Sequence, residues 1–352
     1  MKKTKTILAL ALCAVMTMSL AACGGMPTGW QQSTPQPSGN ADFSGKPEGG
    51  SQEAVPADTL GTEEDLSETT TISIDELVEE TNTSSGMWEL AQRIFPDVIL
   101  YKSSMGQFTY VPINKKLPLC EYDWTKLVRL VKGHKELEYV DNGETLSLKG
   151  IDVSRYQGEI DWEKVAADGV KFAFIRLGYR GYETGKLTLD SDFEKNVSGA
   201  IKNGVAVGVY FVTQAISEEE GIEEADFVLQ NIAPYNITWP IVLDIEEAGG
   251  GGSNVRTSQL TAAERTDYTI AFCERIKEKG YTPMLYCAIR WFVEELELER
   301  LTDYEKWFAQ YFNRPYYPYE FHVWQYTNQG AVDGIKGNVD LNISMKDFGK
   351  KE

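Results

Sequence analysis

Asp244 and Glu246 stand two residues apart at the end of Trp239-Pro-Ile-Val-Leu-Asp-Ile-Glu-Glu247. Pro240 to Leu243 is a short apolar run that begins at a proline, the pattern of a buried strand with proline in first place. Side chains alternate faces along a strand, so both carboxylates project to one side, roughly 6–7 Å apart at Cβ from a rise of ~3.3 Å. Two acids so placed repel, and one is pushed towards its protonated form at neutral pH. A proton donor then lies beside a charged stabiliser, as general acid catalysis requires. The plainer alternative is a strand end with two solvated acids capping the next loop.

The elements that would position this pair alternate from Leu148 onward. Strands are expected at Gly150–Val153, Phe172–Leu177, Val205–Val212, Ile241–Ile245 and Pro283–Cys287, with helices between them at Trp162–Asp168, Asp192–Asn203, Ser217–Ile232 and Thr261–Lys279. Gly169, Gly204 and Gly280 each follow a helix and precede a strand, as helix-ending glycines do. Three more strands, Trp307–Tyr311, His322–Tyr326 and Val339–Ile343, follow with little helix between them. The expected fold is α/β: an irregular (β/α) barrel of about eight strands with five βα units. An open doubly wound sheet is the runner-up.

Barrel active sites lie at the C-terminal ends of the strands. Those ends carry Asp152 with Ser154, Tyr156 and Gln157; Arg176 and Tyr179; Tyr210 and Gln214; Asp244 and Glu246; Tyr286; Gln310 and Tyr311; Trp324, Gln325 and Tyr326; and Asp340. Acids and aromatics converging on one mouth suit a sugar chain, because aromatic faces pack on a pyranose while carboxylates and amides bond its hydroxyls. The candidate substrate-binding residues are therefore Tyr179, Tyr210, Gln214, Tyr286, Tyr311, Trp324, Gln325 and Tyr326. Each has a blander reading: Tyr210, Tyr286 and Trp324 as packing, Asp152 as a turn former, Asp340 as a cap on Asn342. The run Gly249-Gly-Gly-Gly252 lacks the Lys-Ser/Thr of a phosphate loop and reads as a flexible lip.

The 352 residues leave room for more than the barrel. Lys2, Lys3 and Lys5 precede an apolar run ending in Leu20-Ala-Ala-Cys23, a secretory leader over 1–22. That ending resembles a bacterial lipobox, with Cys23 lipidated; the plainer reading is an ordinary leader with an incidental cysteine. Residues 23–70, rich in Gly, Ser, Thr, Pro and acids, form an expected disordered tether. Residues 71–148 read as a small α+β module of unassigned role or a cap on the barrel, with helices at Ile72–Thr81, Trp88–Phe95 and Trp124–Val131, strands at Val98–Tyr101, Gln107–Pro112 and Glu138–Val140, and a turn at Asp141-Asn-Gly143. Loss of Lys2, Lys3 and Lys5 takes the formal charge from −19 to −22, which argues against nucleic acid or another polyanion held by charge. Beyond Cys23 only Cys120, Cys273 and Cys287 remain, so one intramolecular disulfide is the most the mature chain can form. With no Cys/His cluster, a zinc site is not expected.

At this point a family resemblance emerges. Gly150-Ile-Asp-Val-Ser-Arg-Tyr-Gln-Gly158, followed by Ile160-Asp-Trp162, resembles the opening of glycoside hydrolase family 25, the Chalaropsis-type lysozymes. Phe172-Ala-Phe-Ile-Arg-Leu-Gly178, Gly208-Val-Tyr-Phe211, Leu243-Asp-Ile-Glu246, Trp307-Phe-Ala-Gln-Tyr311, Trp324-Gln-Tyr-Thr327 and Val339-Asp-Leu-Asn342 follow in that family's order. The resemblance covers about 149–347 and implies an N-acetylmuramidase cutting the β-1,4 bond between N-acetylmuramic acid and N-acetylglucosamine in peptidoglycan. It implies Glu246 as general acid/base, Asp244 as its partner, and Asp152 and Asp340 completing an acidic pocket. It also implies retention of configuration, by a carboxylate nucleophile or by the substrate's own acetamido oxygen, with no metal or organic cofactor. The strand-derived spacing falls between the ~5–5.5 Å of retaining and ~6.5–9.5 Å of inverting pairs and does not decide the route. Two departures stand out: Ile245 where the family often has an aromatic residue, and the glycine-rich loop Glu247–Thr257.

The expectation is thus a monomeric, extracytoplasmic muramidase, lipid-anchored to the bacterial membrane, whose partner is the peptidoglycan glycan strand. The competing expectations are a hydrolase of another N-acetylhexosamine polymer and a non-catalytic glycan-binding lipoprotein.

Overall fold

A computed structural model describes residues 4–8, 69–75, 77–78, 91–92, 94–130, 136–248, 255–312 and 314–350. Cys23, most of the leader and tether, and the glycine run at 249–252 lie outside the described residues. Eight strands make the barrel: β1 (Leu148–Val153), β2 (Phe172–Arg180), β3 (Ala206–Val212), β4 (Ile241–Asp244), β5 (Pro283–Ala288), β6 (Glu305–Ala309), β7 (Val323–Gly330) and β8 (Val339–Ser344). Neighbours from β1 to β7 are parallel, while β8 runs antiparallel to both β7 and β1 and closes the ring. The closed barrel, not the open sheet, is the fold.

Helices α1 (Trp162–Ala167), α2 (Phe193–Lys202), α3 (Glu218–Ile232) and α4 (Ala262–Glu278) cover the first four crossings. Their ends follow local chemistry. Ser217 accepts from Glu220 N at the start of α3, whose first turn holds three acids facing the positive helix end. Thr261 and Glu264 form a reciprocal capping box on α4. The expected helix-ending glycines, Gly169, Gly204 and Gly280, sit at φ 91°, 76° and 82°. After β5 a five-residue π turn, Trp291–Glu295, and a 3-10 turn, Leu298–Arg300, stand in place of an α-helix.

Period-two alternation sorts the strands into two cores. Ile241, Leu243 and Ile245 join the layer beneath the helices, whereas Val242 joins Phe172, Phe174, Met284, Trp307 and Val323 inside the barrel. Glycine makes that interior possible: a Cβ on Gly150 would lie 2.1 Å from the Phe172 ring, and one on Gly208 2.5 Å from the Phe174 ring.

The segment ahead of the barrel departs from expectation in two places. The helix expected over Trp124–Val131 is absent from its described residues, 124–130; Trp124–Lys126 forms a 3-10 turn and Leu127–Arg129 a strand paired with Leu137–Asp141. Tertiary packing overrides helix preference there, because the Trp124 ring stacks on Phe321 at 5.6 Å. Thr69–Ser73 is a strand paired with Thr4–Leu8, so helical residues begin at Ile74 rather than Ile72; its run of threonine and isoleucine favours extended chain. Strands Val98–Lys102 and Phe108–Pro112 pair as a hairpin, and Asn142 and Gly143, both at positive φ, turn the chain between Leu137–Asp141 and Glu144–Thr145. This segment lies on the barrel: Ile99, Tyr101, Leu117 and Leu137 share its outer core, and Cys120 N donates to Pro318 O at 2.9 Å. Cys120, Cys273 and Cys287 are free thiols.

Candidate active site

At the C-terminal mouth, the inward positions of β4, β1 and β8 bring together Asp244, Asp152 and Asp340, with Glu246 just beyond the end of β4. Asp152 and Asp340 are direct cross-strand partners. Asp152 and Asp244 are buried, at 6% and 4% exposure, while Glu246 and Asp340 are half-buried.

Asp152 has the most complete surroundings. Its Oδ2 accepts from Gln325 Nε2 at 2.9 Å and from Asn342 Nδ2 at 2.8 Å. Both amides are locked in that sense: Asn342 Oδ1 accepts from Trp307 Nε1, and Gln325 Oε1 accepts from the hydroxyls of Tyr286 and Tyr311, all at 2.8 Å. Burial raises the Asp152 carboxyl above its ordinary value, and the two amides and Asp340 pull it back. Asp340 is raised well above the ordinary range by burial, by the Asp152 charge and by its hydrogen bond to Asp152. A carboxyl–carboxylate hydrogen bond needs one proton; both carboxyls are raised, and the amide donors on Asp152 favour its anion, so the shared proton rests on Asp340.

Asp244 and Glu246 have no such support. Asp244 Oδ1 and Glu246 Oε2 are buried atoms without a hydrogen-bond partner among the described residues. Burial, then the Asp152 charge, holds Asp244 well above the carboxylate range; burial, then Asp244, does the same for Glu246. Arg176 opposes both shifts. Its Nε and Nη2 lie 2.7 and 2.6 Å from Asp190 Oδ2, and its guanidinium lies 4.9 Å from the ring of Tyr156 and 5.9 Å from that of Tyr179. The mouth therefore gathers four carboxyls that burial and their neighbours raise, an arrangement able to give a proton to a leaving oxygen and to stabilise positive charge.

Of the aromatic and amide candidates, Tyr210, Tyr286, Tyr311 and Gln325 face the carboxylates, since the hydroxyls of all three tyrosines are pushed up by burial and by these acids. Tyr179 stands half-buried at the end of β2. Gln214 is buried behind the mouth, with its Oε1 accepting from Thr257 Oγ1 at 3.1 Å. Trp324 and Tyr326 must be corrected. Only alternate residues of β7 face inward, and Gln325 takes that position. Trp324 is fully buried on the outer side, 6.0 Å from the Trp124 ring and donating to Gln310 O, and Tyr326 is buried in the same outer core.

Sequence reasoning did not select Asn342, although it lies two residues beyond Asp340 and hence on the same face. Trp307, which locks Asn342, lies by the same period on the face of Tyr311, whereas Asp190, which holds Arg176, carries no comparable signal.

Residues 151–335 match the model of the family described as glycosyl hydrolases family 25. The chain is 30% identical over 207 residues to "Uncharacterized protein YegX" of Escherichia coli K12, covering 56% of this chain and 69% of that one. It is 26% identical over 217 residues to "Lysozyme M1" of Streptomyces globisporus, covering 56% and 68%. The barrel also resembles the modular autolysin LytC from Streptococcus pneumoniae, solved with a synthetic peptidoglycan ligand, at a TM-score of 0.50 and 22% identity. That likeness, which concerns the fold, covers 70% of this chain and little more than half, 56%, of the autolysin. A family model spanning more than half of the chain, from β1 to the approach to β8, places the chain in glycosyl hydrolase family 25, as a glycoside hydrolase.

Proposed function

We propose that the chain is an N-acetylmuramidase that hydrolyses the β-1,4 bond between N-acetylmuramic acid and N-acetylglucosamine in peptidoglycan. The observation that carries this reading is Glu246: half-exposed at the mouth, raised well above the carboxylate range, with Oε2 unpartnered among the described residues and three further acids beside it. Relatives named "Lysozyme M1" and "Autolytic lysozyme" support the substrate.

Glu246 gives its proton to the glycosidic oxygen as the bond to C1 breaks. The acetamido carbonyl oxygen of the same sugar attacks C1, and Asp244 Oδ1 accepts from the acetamido N–H, which stabilises the positive oxazolinium ion so formed. Glu246, now a carboxylate, takes a proton from water, which opens that ion and leaves a reducing N-acetylmuramic acid with retained configuration. Asp152 and Asp340 hold the local charge, and Tyr179, Tyr210, Tyr286, Tyr311 and Gln325 line the sugar path. The enzyme acts outside the cytoplasm as a monomer, held to the membrane through lipid on Cys23, with residues 23–70 as tether and 71–148 as a small module that caps the barrel.

The test is digestion of purified peptidoglycan, borohydride reduction and mass spectrometry of the products. Reduced N-acetylmuramic acid at the new ends is expected. Reduced N-acetylglucosamine would mean a glucosaminidase on the same scaffold, and products only from another N-acetylhexosamine polymer would move the substrate.

A further inference from the structure

Among the described residues, the backbone ladder that holds β4 stops one residue short of Glu246. Its last rung is Ile245 N donating to Tyr286 O at 3.0 Å. The next tie is a side chain: Arg290 Nη2 donates to Glu247 Oε2 at 3.2 Å. Glu246 therefore lies between one backbone hydrogen bond and one ion pair.

Arg290 is itself fixed by the π turn after β5. Its Nη1 lies 3.0 Å from Glu295 Oε1, five residues on, but 3.8 Å from Glu294, four residues on. An α-helix would have favoured the i,i+4 partner; the wider π turn brings the i+5 carboxylate under the guanidinium. Glu295 Oε2 in turn accepts from Arg265 Nε at 3.0 Å, and Arg265 Nη2 donates to Thr257 O at 2.8 Å. The two guanidiniums lie 4.9 and 5.2 Å from the Trp291 ring. One carboxylate, Glu295, thus ties Glu247, where the chain leaves the mouth, to Thr257, where it returns. The other acid of the turn, Glu294, hydrogen-bonds Tyr101 of the segment ahead of the barrel, whose hydroxyl is pushed up to about 12 by burial and by that charge.

We propose that Arg290, fixed by Glu295, is a positioning residue that sets the place of the Glu246 carboxyl during the reaction. The inference rests on the muramidase reading above. Misplacing a catalytic group by an ångström costs up to about 10²-fold in rate, while substrate contacts remain. In the full-length chain, Arg290→Ala should lower kcat on peptidoglycan about tenfold or more, with KM within about twofold of wild type. Arg290→Lys, which keeps the charge, should recover part of the loss. Glu247→Ala removes the same tie from a side chain that is 37% exposed, so it spares the fold and should reproduce the fall in kcat. Adding Glu295→Gln to Arg290→Ala should lower kcat little further, because the two act as one unit. A wild type that cuts peptidoglycan while Arg290→Ala and Glu247→Ala cut equally fast overturns the positioning role alone. A wild type that leaves peptidoglycan uncut overturns the muramidase reading and this inference with it.

Discussion

Glu224 on α3 and Asp244 on β4 are both buried carboxylates of one barrel, yet their surroundings differ in kind. Glu224 accepts from Arg180 Nε at 2.7 Å, and the same guanidinium reaches Glu223 at 2.8 Å and the Glu220 carbonyl at 3.1 Å. Each acid has one oxygen that no donor among the described residues reaches, so the difference lies in the cation: the one near Asp244, Arg176, is already engaged with Asp190. Burial raises both acids, Glu224 only to about 7 because Thr213 and Arg180 pull it down. A buried acid supplied with its own cation is scaffold. A buried acid left without one costs stability and is kept for what enters from outside.

The comparison breaks first at Arg180. Arg180→Ala leaves Glu224 buried without its cation and should cost about 3–5 kcal/mol in urea denaturation, while chemistry per folded molecule changes little. A loss below about 1 kcal/mol would remove the contrast between the two sites. Next is Asn342→Ala, which strips Asp152 of one amide and leaves Trp307 Nε1 unpaired. It should cost about 1–3 kcal/mol and slow catalysis as well, because the charge on Asp152 loses support.

Asp244→Asn should act in the opposite sense on stability, raising it by about 1 kcal/mol at neutral pH while activity falls. The sign follows from linkage. The folded-state pKa of Asp244 is raised, so its contribution to stability is fully present below the ordinary 3.8 and lost as pH rises. The variant should therefore gain over wild type as pH climbs from 4, and the two should converge below it. A neutral-pH stability below that of wild type would contradict the reading. The last case is Glu224→Gln. The wild-type acid loses its contribution between its ordinary 4.5 and about 7, so the variant should show a flatter stability profile across that window.

Much of this was legible in the residues, for reasons that can be named. Strands bounded by glycine and filled with β-branched residues repeat at βα spacing, and the two-residue period alone sets Asp244 and Glu246 on one face. The same period, applied from Gln325, would have turned Trp324 and Tyr326 outward, and applied from Asp340 would have turned Asn342 inward. Treating every polar or aromatic residue near a strand end as part of the mouth discarded that information. Trp124–Val131 misled for another reason: its partner, Phe321, lies almost 200 residues away, and local preference carries no trace of such a contact. The Arg290–Glu295 spacing of five is meaningful only in a π turn, which no periodicity announces.

The most direct test concerns Glu246 itself. Reducing-end release from peptidoglycan and thermal melting would be measured on the same preparations of wild type and Glu246→Gln. Loss of the proton donor should slow release by about 10²–10⁴-fold, with a melting temperature equal to or above that of wild type. Release within about threefold of wild type would contradict the assignment of Glu246 as the acid and, with it, the account of the mouth.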